Sequence, residues 1–412
     1  MLTVAKFGGS SLADGECFAA VKDILFADPA RKGVVVSAPG KRHPEDPKIT
    51  DLLYLCHSLH LSGGGWEKIF DCIAHRFLEI AAFCGAEGIG EELDALRRLV
   101  AQGVTREFLA SRGEYFSARI MAEFLGWKFI DAADWLRFGE NGQVDTAYSY
   151  GALWALADRP FVTPGFYGAT KEGKICTFSR GGSDVTGAHA AAALEADLYE
   201  NWTDVDGILQ ADPRRIREAK SVGYMTYGEL ADLSLVGTQV LHEGAVRPVL
   251  SAGIPLHIRN TKAPEQAGTV ITTVLPEGVE RSTVLSLAFR RERALVSLSG
   301  GGLRIEDADF TASMLGRQTA AVPSARLEET LAALETEAGE LLVQDGFALL
   351  AVVFAREAAH GPGAAELLAA LKRENIPVEA ILRPFGGHTL VLAVPDGLCD
   401  RALRALWRET EN

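Results

Sequence analysis

Short apolar strands alternate with helical patterns through the N-terminal two thirds of the chain. The first strand covers residues 3–7, a helical pattern runs through residue 26, and a second apolar strand covers residues 33–37. Strands that are apolar on both faces and joined by helices are typical of a parallel sheet covered on both sides. The sequence therefore predicts an α/β fold in which a mainly parallel sheet is sandwiched by helices.

The same pattern continues toward residue 260. A mostly helical insertion is predicted between residues 51 and 125, and its last helix is expected to begin near Ser111. Another helix is expected over residues 188–194. Further strands are predicted at residues 128–130, 161–163, 197–202 and 255–258.

The chain changes character between residues 262 and 285, where loop-forming sequences such as Leu-Pro-Glu-Gly occur. Beyond this region the pattern is strand, helix, strand, strand, helix, which is the order of a ferredoxin-like α+β unit. Its strands are predicted at residues 347–354, 378–382 and 389–394, and its helices at residues 363–374 and 401–409.

A strand at residues 294–298 and a helix at residues 326–337 indicate a similar unit upstream. Only residues 300–323 remain for its first helix and two further strands, so we predict that this unit is shortened. The predicted domains are residues 1–275, 285–345 and 346–412.

Length and composition exclude several classes of protein. With 412 residues the chain is too long for one ordinary core, and a formal net charge of −14 argues against binding nucleic acid by bulk attraction. No apolar run approaches the roughly 18–20 residues of a membrane-spanning helix, and the N-terminus lacks the pattern of a signal peptide. The six cysteines form no Cys-x-x-Cys pair, so reduced thiols in a cytoplasmic protein are expected.

Cys56, His60, Cys72 and His75 have a spacing that zinc ligands can have. Both pairs lie within apolar, helix-like patterns, and cysteine is commonly buried as a small hydrophobic residue. We therefore favour a structural role for these residues over a zinc site.

The turn after the first strand contains Lys6, Gly8, Gly9 and Ser10. Glycines let backbone N–H groups approach an anion closely, a following helix N-terminus adds a favourable dipole, and Lys6 adds a positive charge for phosphoryl oxygens. Ser37 ends the next strand and is expected at the same edge of the sheet, where ligands of such folds bind. A glycine pair after a strand is also explained as an ordinary turn, so this motif alone is not specific.

A second candidate motif comprises Arg180, Gly181, Gly182, Ser183 and Asp184, between a strand and a helix. An arginine at such a position can bind a carboxylate in a bidentate manner. Ser183 and Asp184 also fit a simpler role as helix caps. That role does not explain why an arginine stands beside two glycines.

Two further positions have both a functional and a structural interpretation. Glu114 is expected near the start of a helix, where an acid is favoured by the helix dipole alone, but it also suits a substrate ammonium. Thr203 and Asp204 follow a strand, and Arg214 follows an Asp-Pro turn. They suit contacts to a ribose, a base and a phosphate, although Asp-Gly and Asp-Pro are also plain turn signals.

Six separated motifs occur together in this chain, and in this order they resemble those of aspartate kinases. The resemblance spans about residues 1–275, and the C-terminal half of that family holds two ACT units, which are small ferredoxin-like modules. The motifs are Lys-Phe-Gly-Gly-Ser-Ser (6–11), Ser-Arg-Gly-Glu (111–114), Pro-Gly-Phe-Tyr-Gly (164–168), Ser-Arg-Gly-Gly-Ser-Asp (179–184), Trp-Thr-Asp-Val-Asp-Gly (202–207) and Asn-Thr-Lys-Ala-Pro (260–264).

The resemblance implies ATP-dependent phosphorylation of the β-carboxylate of L-aspartate, which leads toward lysine, threonine and methionine. It also implies Mg²⁺ bridging the β- and γ-phosphates. A carboxylate acceptor is already ionised near neutral pH, so no general base is required.

The resemblance further assigns roles to individual residues. Those expected at the transferred phosphoryl group are Lys6, Gly8, Gly9, Ser10, Ser37 and Asp184. Those expected at the aspartate are Thr50, Glu114 at its ammonium, the backbone of Phe166, Arg180 at its α-carboxylate, Gly181 and Ser183. Those expected at the nucleotide are Thr203, Asp204, Leu209, Arg214 and Gln239.

The chain departs from the family at three places. Gln239 stands where many members have a lysine near the nucleotide, and Leu209 stands where an aromatic residue is common. The shortened first ACT unit puts feedback inhibition in doubt. A homodimer or higher oligomer is expected through the ACT-like region, with residues 347–354 and 389–394 offering strand edges to a partner.

Two alternatives stay open at this point. One is another kinase of the same superfamily, acting on glutamate, acetylglutamate, carbamate or a nucleotide monophosphate. The presence of Ser-Arg-Gly-Gly-Ser-Asp together with Gly113-Glu114 and a long C-terminal extension argues against it. The other is a non-catalytic amino-acid sensor on the same scaffold, supported by Gln239 alone. Retention of Lys6 and Asp184 argues against that loss of activity.

Overall fold

A computed structural model describes residues 1–179, 181–235, 241, 243–299, 308, 310–314, 317–334, 341–356, 362–382 and 388–410. The chain forms two compact units. The first comprises Met1–Gly207 and Leu241–Thr273, and the second comprises Ile208–Val240 and Val274–Asn412. The division at Thr273 falls inside the region where the sequence changes character, but the sequence did not predict that residues 208–240 join the C-terminal unit.

Strands and helices are numbered here in chain order. The strands are β1 (Thr3–Phe7), β2 (Arg31–Val36), β3 (Lys128–Phe129), β4 (Phe161–Pro164), β5 (Tyr167–Ala169), β6 (Ile175–Thr177), β7 (Leu198–Thr203), β8 (Tyr224–Thr226), β9 (Leu256–Asn260), β10 (Thr269–Thr272), β11 (Val284–Ser299), β12 (Phe310–Met314), β13 (Arg317–Pro323), β14 (Leu341–Phe354), β15 (Ala380–Leu382) and β16 (Thr389–Pro395). The α-helices are α1 (Gly15–Phe26), α2 (Ile49–Leu61), α3 (Trp66–Cys84), α4 (Ile89–Gln102), α5 (Arg106–Leu125), α6 (Ala132–Trp135), α7 (Thr146–Leu156), α8 (Gly182–Ala193), α9 (Tyr227–Leu235), α10 (Glu243–Ser251), α11 (Leu327–Ala333), α12 (Ala364–Arg373) and α13 (Cys399–Thr410).

The first unit is built on a mainly parallel sheet, as the sequence predicts. Its strands lie in the order β3-β4-β2-β1-β7-β9-β10, and each neighbouring pair from β3 to β9 is parallel, while β10 is antiparallel to β9. Buried aromatic residues such as Phe7, Phe18 and Phe116 join the sheet to the surrounding helices in one hydrophobic core.

The carboxyl ends of the central strands meet at one edge of this sheet. Hydrogen bonds continue just past the strands: the Ser37 N–H donates to the Phe7 carbonyl (3.1 Å), and the Gly8 N–H donates to the Trp202 carbonyl (3.0 Å). The Gly165 N–H donates in turn to the Val36 carbonyl (2.9 Å). The turns that carry the candidate motifs are therefore fixed to one another.

The turn after β1 is followed by a short 3₁₀ helix over Gly9–Leu12. Helix α1 begins only at Gly15, where the Asp14 carboxylate accepts a hydrogen bond from the Cys17 N–H (2.9 Å). The expectation that the dipole of α1 supports the glycine turn directly is therefore wrong. The local donors at the turn are backbone N–H groups of the 3₁₀ segment.

Helix α5 begins at Arg106, five residues before the predicted start near Ser111. Thr105 caps it by accepting a hydrogen bond from the Phe108 N–H (3.2 Å). The Ser111 hydroxyl donates back to the Phe108 carbonyl (2.7 Å), so it lies within the helix rather than capping it. Glu114 consequently lies in the interior of α5, and the helix dipole does not explain an acid there.

Helix α8 begins at Gly182, six residues before its predicted start at residue 188. Gly181 precedes it in the left-handed conformation (φ 58°), and no side chain among the described residues caps the helix. The proposed capping role of Ser183 and Asp184 is therefore wrong. The start of α8 was not predicted, because the helix consists mainly of small residues and is buried on nearly all sides. Its sequence therefore shows no apolar periodicity.

The second unit contains an antiparallel sheet. Its described strands lie in the order β12-β13-β11-β14-β16-β15. The predicted strand–helix–strand–strand–helix unit is present as β14, α12, β15, β16 and α13, and its core includes Leu350, Leu371 and Leu403.

The upstream unit contributes β11, β12 and β13 to the same sheet, and it also contains helix α11. The region expected to hold its first helix includes residues 300–307, which lie outside the described residues. Strands β14 and β16 are interior strands, because β14 lies between β11 and β16, and β16 lies between β14 and β15. The expectation that residues 347–354 and 389–394 offer free edges is therefore wrong, and the sheet ends at β12 and β15.

Residues 208–222 pack within this second unit. Ala211 and Ile216 are buried in the same core cluster as Leu403, and the Leu287 N–H donates to the Gln210 carbonyl (2.7 Å). The turn signals at residues 204–214 are local, so they do not indicate that this segment packs against residues far along the chain.

The cysteine and histidine residues of the zinc alternative lie on α2 and α3. Cys56 is buried, and burial raises the pKa of its thiol to about 11, whereas Cys72 is exposed. Within the described part of the chain no group of three or more metal-ligating side chains occurs. All six cysteines are free. None of the described helices is both long and apolar enough to cross a membrane.

Candidate active site

Lys6 lies at the centre of the site. It points from β1 toward the first turn of α8, where its ammonium Nζ lies 2.6 Å from Asp184 Oδ1. The Lys6 residue is buried, with 7% of its surface exposed, and the Asp184 side chain is 20% exposed. The two sequence motifs that contain these residues are far apart in the chain, and the fold joins them in one ion pair.

Asn201 completes this cluster and was not identified from the sequence as a site residue. Its amide Nδ2 donates to Asp184 Oδ1 (3.1 Å), and its Oδ1 accepts from Lys6 Nζ (3.4 Å). Asn201 is 2% exposed and lies beside Lys6 in the parallel pair of β1 and β7. The available signal was an amide within an otherwise buried strand, where a polar side chain needs a partner.

The glycine turn is packed too closely for any side chain. A Cβ on Gly9 would lie 2.8 Å from the Ala38 carbonyl oxygen, and a Cβ on Gly40 would lie 2.6 Å from the Gly9 carbonyl carbon. The Gly40 N–H donates to the Gly9 carbonyl (2.8 Å). The turn is therefore held against the segment after β2, with Ser37 alongside it.

A second close approach brings Ser183 to the segment after β4. A Cβ on Gly165 would lie 2.6 Å from Ser183 Cβ, and a Cβ on Gly182 would lie 2.9 Å from Phe166 Cα. Phe166 itself has a positive φ of 74°, which is unusual for a residue with a side chain. Strained backbone of this kind often accompanies a functional site.

The backbone groups of Phe166 already have partners. Its N–H donates to Thr186 Oγ1 (3.1 Å), and its carbonyl accepts from the Phe178 N–H (2.9 Å). A ligand contact through this backbone would therefore use the second lone pair of the carbonyl oxygen.

Glu114 is the most unusual acid in the first unit. It is 4% exposed, and its Oε2 has no hydrogen-bond partner among the described residues. Burial raises the pKa of Glu114 to about 8, although the Ala38 N–H donates to this carboxyl group and opposes the shift. The nearby Arg112 guanidinium donates instead to Ser111 Oγ (3.1 and 2.9 Å). A ligand cation would therefore complete this site.

Thr50 lies in the first turn of α2, beside the segment that follows β2. The Ile49 N–H at the start of this helix donates to the Pro39 carbonyl (3.3 Å), and a Cβ on Gly113 would lie 2.7 Å from Ala38 Cβ. Helices α2 and α5 thus meet at the residues that follow β2.

Thr203 and Asp204 lie at the end of β7. They line a cavity of about 660 Å³ together with Ser10, Thr261 and one side of α1. The Ser11 and Thr261 hydroxyl groups are 2.7 Å apart, and the Thr261 N–H donates to the Thr203 carbonyl (2.9 Å). This volume is within the range of about 300–1,000 Å³ that small-ligand sites usually have.

The placement of the remaining candidate residues at this cluster stays a prediction. Arg180 and Gln239 lie outside the described residues. Leu209 and Arg214 belong to the second unit. Arg214 pairs with Asp212 (2.7 Å), and its side chain is 85% exposed.

The fold and this cluster place the chain in a known class of proteins. The model of the amino acid kinase family matches residues 1–260. Aspartokinase 3 of Bacillus subtilis is 32% identical over 99% of this chain and 98% of its own length. The chain therefore belongs to the amino acid kinase family, and within that family to the aspartokinases.

Solved structures agree with this assignment. The aspartate kinase of Clostridium acetobutylicum, described as an allosteric enzyme, is 32% identical, with a TM-score of 0.88 and 99% of each chain covered. The Escherichia coli aspartokinase III in complex with aspartate and ADP has the same fold, with a TM-score of 0.74, 24% identity and 100% of each chain covered. Helices α2–α5 and the two-part C-terminal sheet thus belong to an established architecture.

Proposed function

We propose that this protein is an aspartate kinase that transfers the γ-phosphoryl group of ATP to the β-carboxylate of L-aspartate. The observation that carries this proposal is the combination of Glu114 and Lys6. The buried Glu114 carboxyl group accepts from the Ala38 N–H and has an oxygen without a partner among the described residues. The adjacent Ser37 N–H donates to the carbonyl of Phe7, the residue after Lys6. One end of this site suits a substrate ammonium, and the other suits a phosphoryl group.

Substrate recognition is proposed to occur on the side of α5 and α8. Glu114 would pair with the α-ammonium, and Ser183 and Thr50 would contact the rest of the substrate. Arg180 is proposed to bind the α-carboxylate, because a guanidinium fits a carboxylate in a bidentate manner. A substrate without an ammonium would leave Glu114 unpartnered, which explains a preference for an amino acid over a plain dicarboxylic acid.

Phosphoryl transfer is proposed to depend on Lys6 and the backbone of Gly8, Gly9 and Ser10. A buried cation stabilises charge that develops on the transferred group more strongly than an exposed one does. The acceptor carboxylate is already ionised, so these residues position and stabilise the reacting groups rather than remove a proton.

The nucleotide is proposed to occupy the cleft beside the glycine turn. Lys6 Nζ lies beside this turn, since a Cβ on Gly8 would be 3.4 Å from it, and Ser10, Thr203 and Asp204 line the adjoining cavity. Leu209, Arg214 and Gln239 are proposed to complete the nucleotide site. We also propose that the enzyme acts in the cytoplasm, in keeping with its six free cysteines.

Mg²⁺ fits this donor set as a partner of the phosphates. It commonly keeps several waters and binds mainly through substrate phosphates together with one or two carboxylates of the protein. Bound there, the ion would neutralise charge on the β- and γ-phosphates.

The direct test is trapping of the acyl phosphate with hydroxylamine. With Mg-ATP, we expect L-aspartate to give a hydroxamate. Succinate, N-acetyl-L-glutamate and UMP should give no phosphorylated product. A folded wild-type protein that gives no hydroxamate above the level of a Lys6→Ala control would refute the proposed reaction.

A further inference from the structure

Asn201 forms a closed hydrogen-bonded ring with Lys6 and Asp184. Lys6 Nζ contacts Asp184 Oδ1 at 2.6 Å and Asn201 Oδ1 at 3.4 Å, while Asn201 Nδ2 donates to the same Asp184 oxygen at 3.1 Å. All three groups lie on the face of the sheet that α8 covers. Asn201 is therefore the neutral member of a largely buried ionic cluster.

The Asn201 amide provides both a hydrogen-bond donor for Asp184 and an acceptor for Lys6. A buried lysine and a single carboxylate attract each other strongly, because little water screens them. The Asn201 N–H competes for the Asp184 oxygen, and the Asn201 carbonyl offers Lys6 a second acceptor. The carboxylate is thus held from the β7 side, and the ammonium is shared between two oxygens instead of being bound to one.

We propose that Asn201 is a positioning residue for phosphoryl transfer, which keeps the Asp184 carboxylate in place so that Lys6 remains available to the nucleotide. This inference rests on the proposed kinase function. Without the amide, Asp184 would have one donor fewer and would hold Lys6 more tightly. The expected consequence is slower transfer, with aspartate binding little changed.

The strand itself does not require an amide at this position. A buried site on a parallel strand favours aliphatic residues, and a leucine side chain branches at the same atom as asparagine. A second residue of β7 provides a matched control, because the Tyr199 hydroxyl donates to the backbone carbonyl of Asp184 (3.0 Å) rather than to its carboxylate. Tyr199→Phe therefore perturbs the same turn of α8 and leaves the ring intact.

The experiment compares Asn201→Leu, Asn201→Asp and Tyr199→Phe with the wild type in the hydroxamate assay from pH 5.5 to 9. We expect Asn201→Leu to lower kcat by about 10- to 100-fold, the range found when residues that orient metal ligands are replaced. The KM for aspartate should change by less than about threefold, because Asn201 does not touch the substrate site. Tyr199→Phe should keep kcat within about threefold, because the contacts among Lys6, Asp184 and Asn201 remain.

The pH dependence of Asn201→Asp activity distinguishes a positioning role from a purely structural one. When protonated, the introduced carboxyl group resembles the amide, and when ionised it is a second carboxylate beside Lys6. The activity of this variant relative to wild type should therefore rise as the pH is lowered, with an inflection that Asn201→Leu lacks. If Asn201→Leu does not fold, the pH profile of Asn201→Asp alone tests the positioning role.

Two results would overturn the inference. One is an Asn201→Leu enzyme whose kcat stays within about threefold of wild type, which is the margin set for the control. The other is an Asn201→Asp enzyme whose activity relative to wild type does not change with pH. Absence of product from the wild type would instead contradict the proposed kinase function, so the two failures are distinguishable.

Discussion

At the scale of single residues, the site is defined by two buried ionisable groups, Lys6 and Glu114, in different environments. Lys6 has a carboxylate and an amide within hydrogen-bonding distance. Glu114 has backbone N–H donors and an oxygen without a partner among the described residues. The Lys6 ammonium is satisfied within the protein, whereas the Glu114 carboxyl group is suited to a ligand cation.

Replacing Lys6 tests the first of these environments. Lys6→Ala should reduce kcat by about two orders of magnitude or more, because it removes a preorganised charge from a site with little water. The KM for aspartate should move less. Lys32→Ala, on the exposed side of the neighbouring strand β2, is the matched control and should behave like wild type. A Lys6→Ala enzyme with nearly normal kcat would place Lys6 outside the phosphoryl path.

Glu114 should couple aspartate binding to proton release. Burial raises its pKa from the ordinary 4.5 to about 8, so the free enzyme carries a proton there near neutral pH, and a bound ammonium favours the ionised form. Aspartate affinity should therefore increase as the pH rises toward about 8 and level off above it. Titration calorimetry in buffers of different ionisation enthalpy measures the released proton.

The same shift has a consequence for stability. Between pH 4.5 and about 8 the folded protein holds a proton on Glu114 that the unfolded chain has lost, so the free energy of unfolding should fall as the pH rises. Glu114→Gln should remove both the proton release and this contribution to the slope. Aspartate binding that is independent of buffer and pH would show that Glu114 is already ionised in the free enzyme.

At the scale of secondary-structure elements, the site depends on how closely the turns after β1, β2 and β4 approach one another. Glycines permit these approaches: Gly9 and Gly40 lie between the first two turns, and Gly165 lies against the start of α8. The contacts between the first two turns are backbone to backbone, so no side-chain movement can relieve an added methyl group there.

Gly9→Ala tests this packing. The new Cβ would lie 2.8 Å from the Ala38 carbonyl oxygen, so the turn has to shift. We expect a loss of about 1–3 kcal/mol in stability and weaker nucleotide binding. Gly64→Ala is the control, because a Cβ there meets nothing within 4 Å. If thermal denaturation and ADP titration give the same values for both variants, the close approach is not needed for the site.

At the scale of the whole molecule, the second unit determines the expected assembly. Within the described residues its sheet ends at β12 and β15, and unpaired strand edges tend to pair with another chain. Strand β15 is short, and its Ile381 is 43% exposed. The first ACT-like unit has few residues between β11 and β12, so inhibition by lysine or threonine is expected to be weak or absent.

A homodimer through this region should be detectable by light scattering at micromolar concentration. Ile381→Lys should shift the mass toward the monomer, because a charge on an edge strand opposes pairing. Leu99→Lys on α4 is a matched control, since Leu99 is also 43% exposed, and it should leave the dimer unchanged. A wild-type monomer would refute the dimer, and sub-millimolar inhibition by either amino acid would refute the regulatory expectation separately.

The sequence by itself determined the local elements and the chemistry of the motifs. The apolar strands, the helical insertion and the strand–helix–strand–strand–helix unit follow from periodicity over a few residues, and each lies close to its predicted place. The starts of α5 and α8 were missed, because a serine within a helix and a helix of small residues give no clear local signal.

Only the tertiary structure decided which groups meet. Asn201 joins Lys6 because β1 and β7 are neighbours in the sheet, although they are far apart in the chain. Glu114 is desolvated because α5 packs on the segment after β2, and the edges of the C-terminal sheet are set by strand order. Burial, register and edge position depend on contacts between distant segments, which local sequence patterns do not encode.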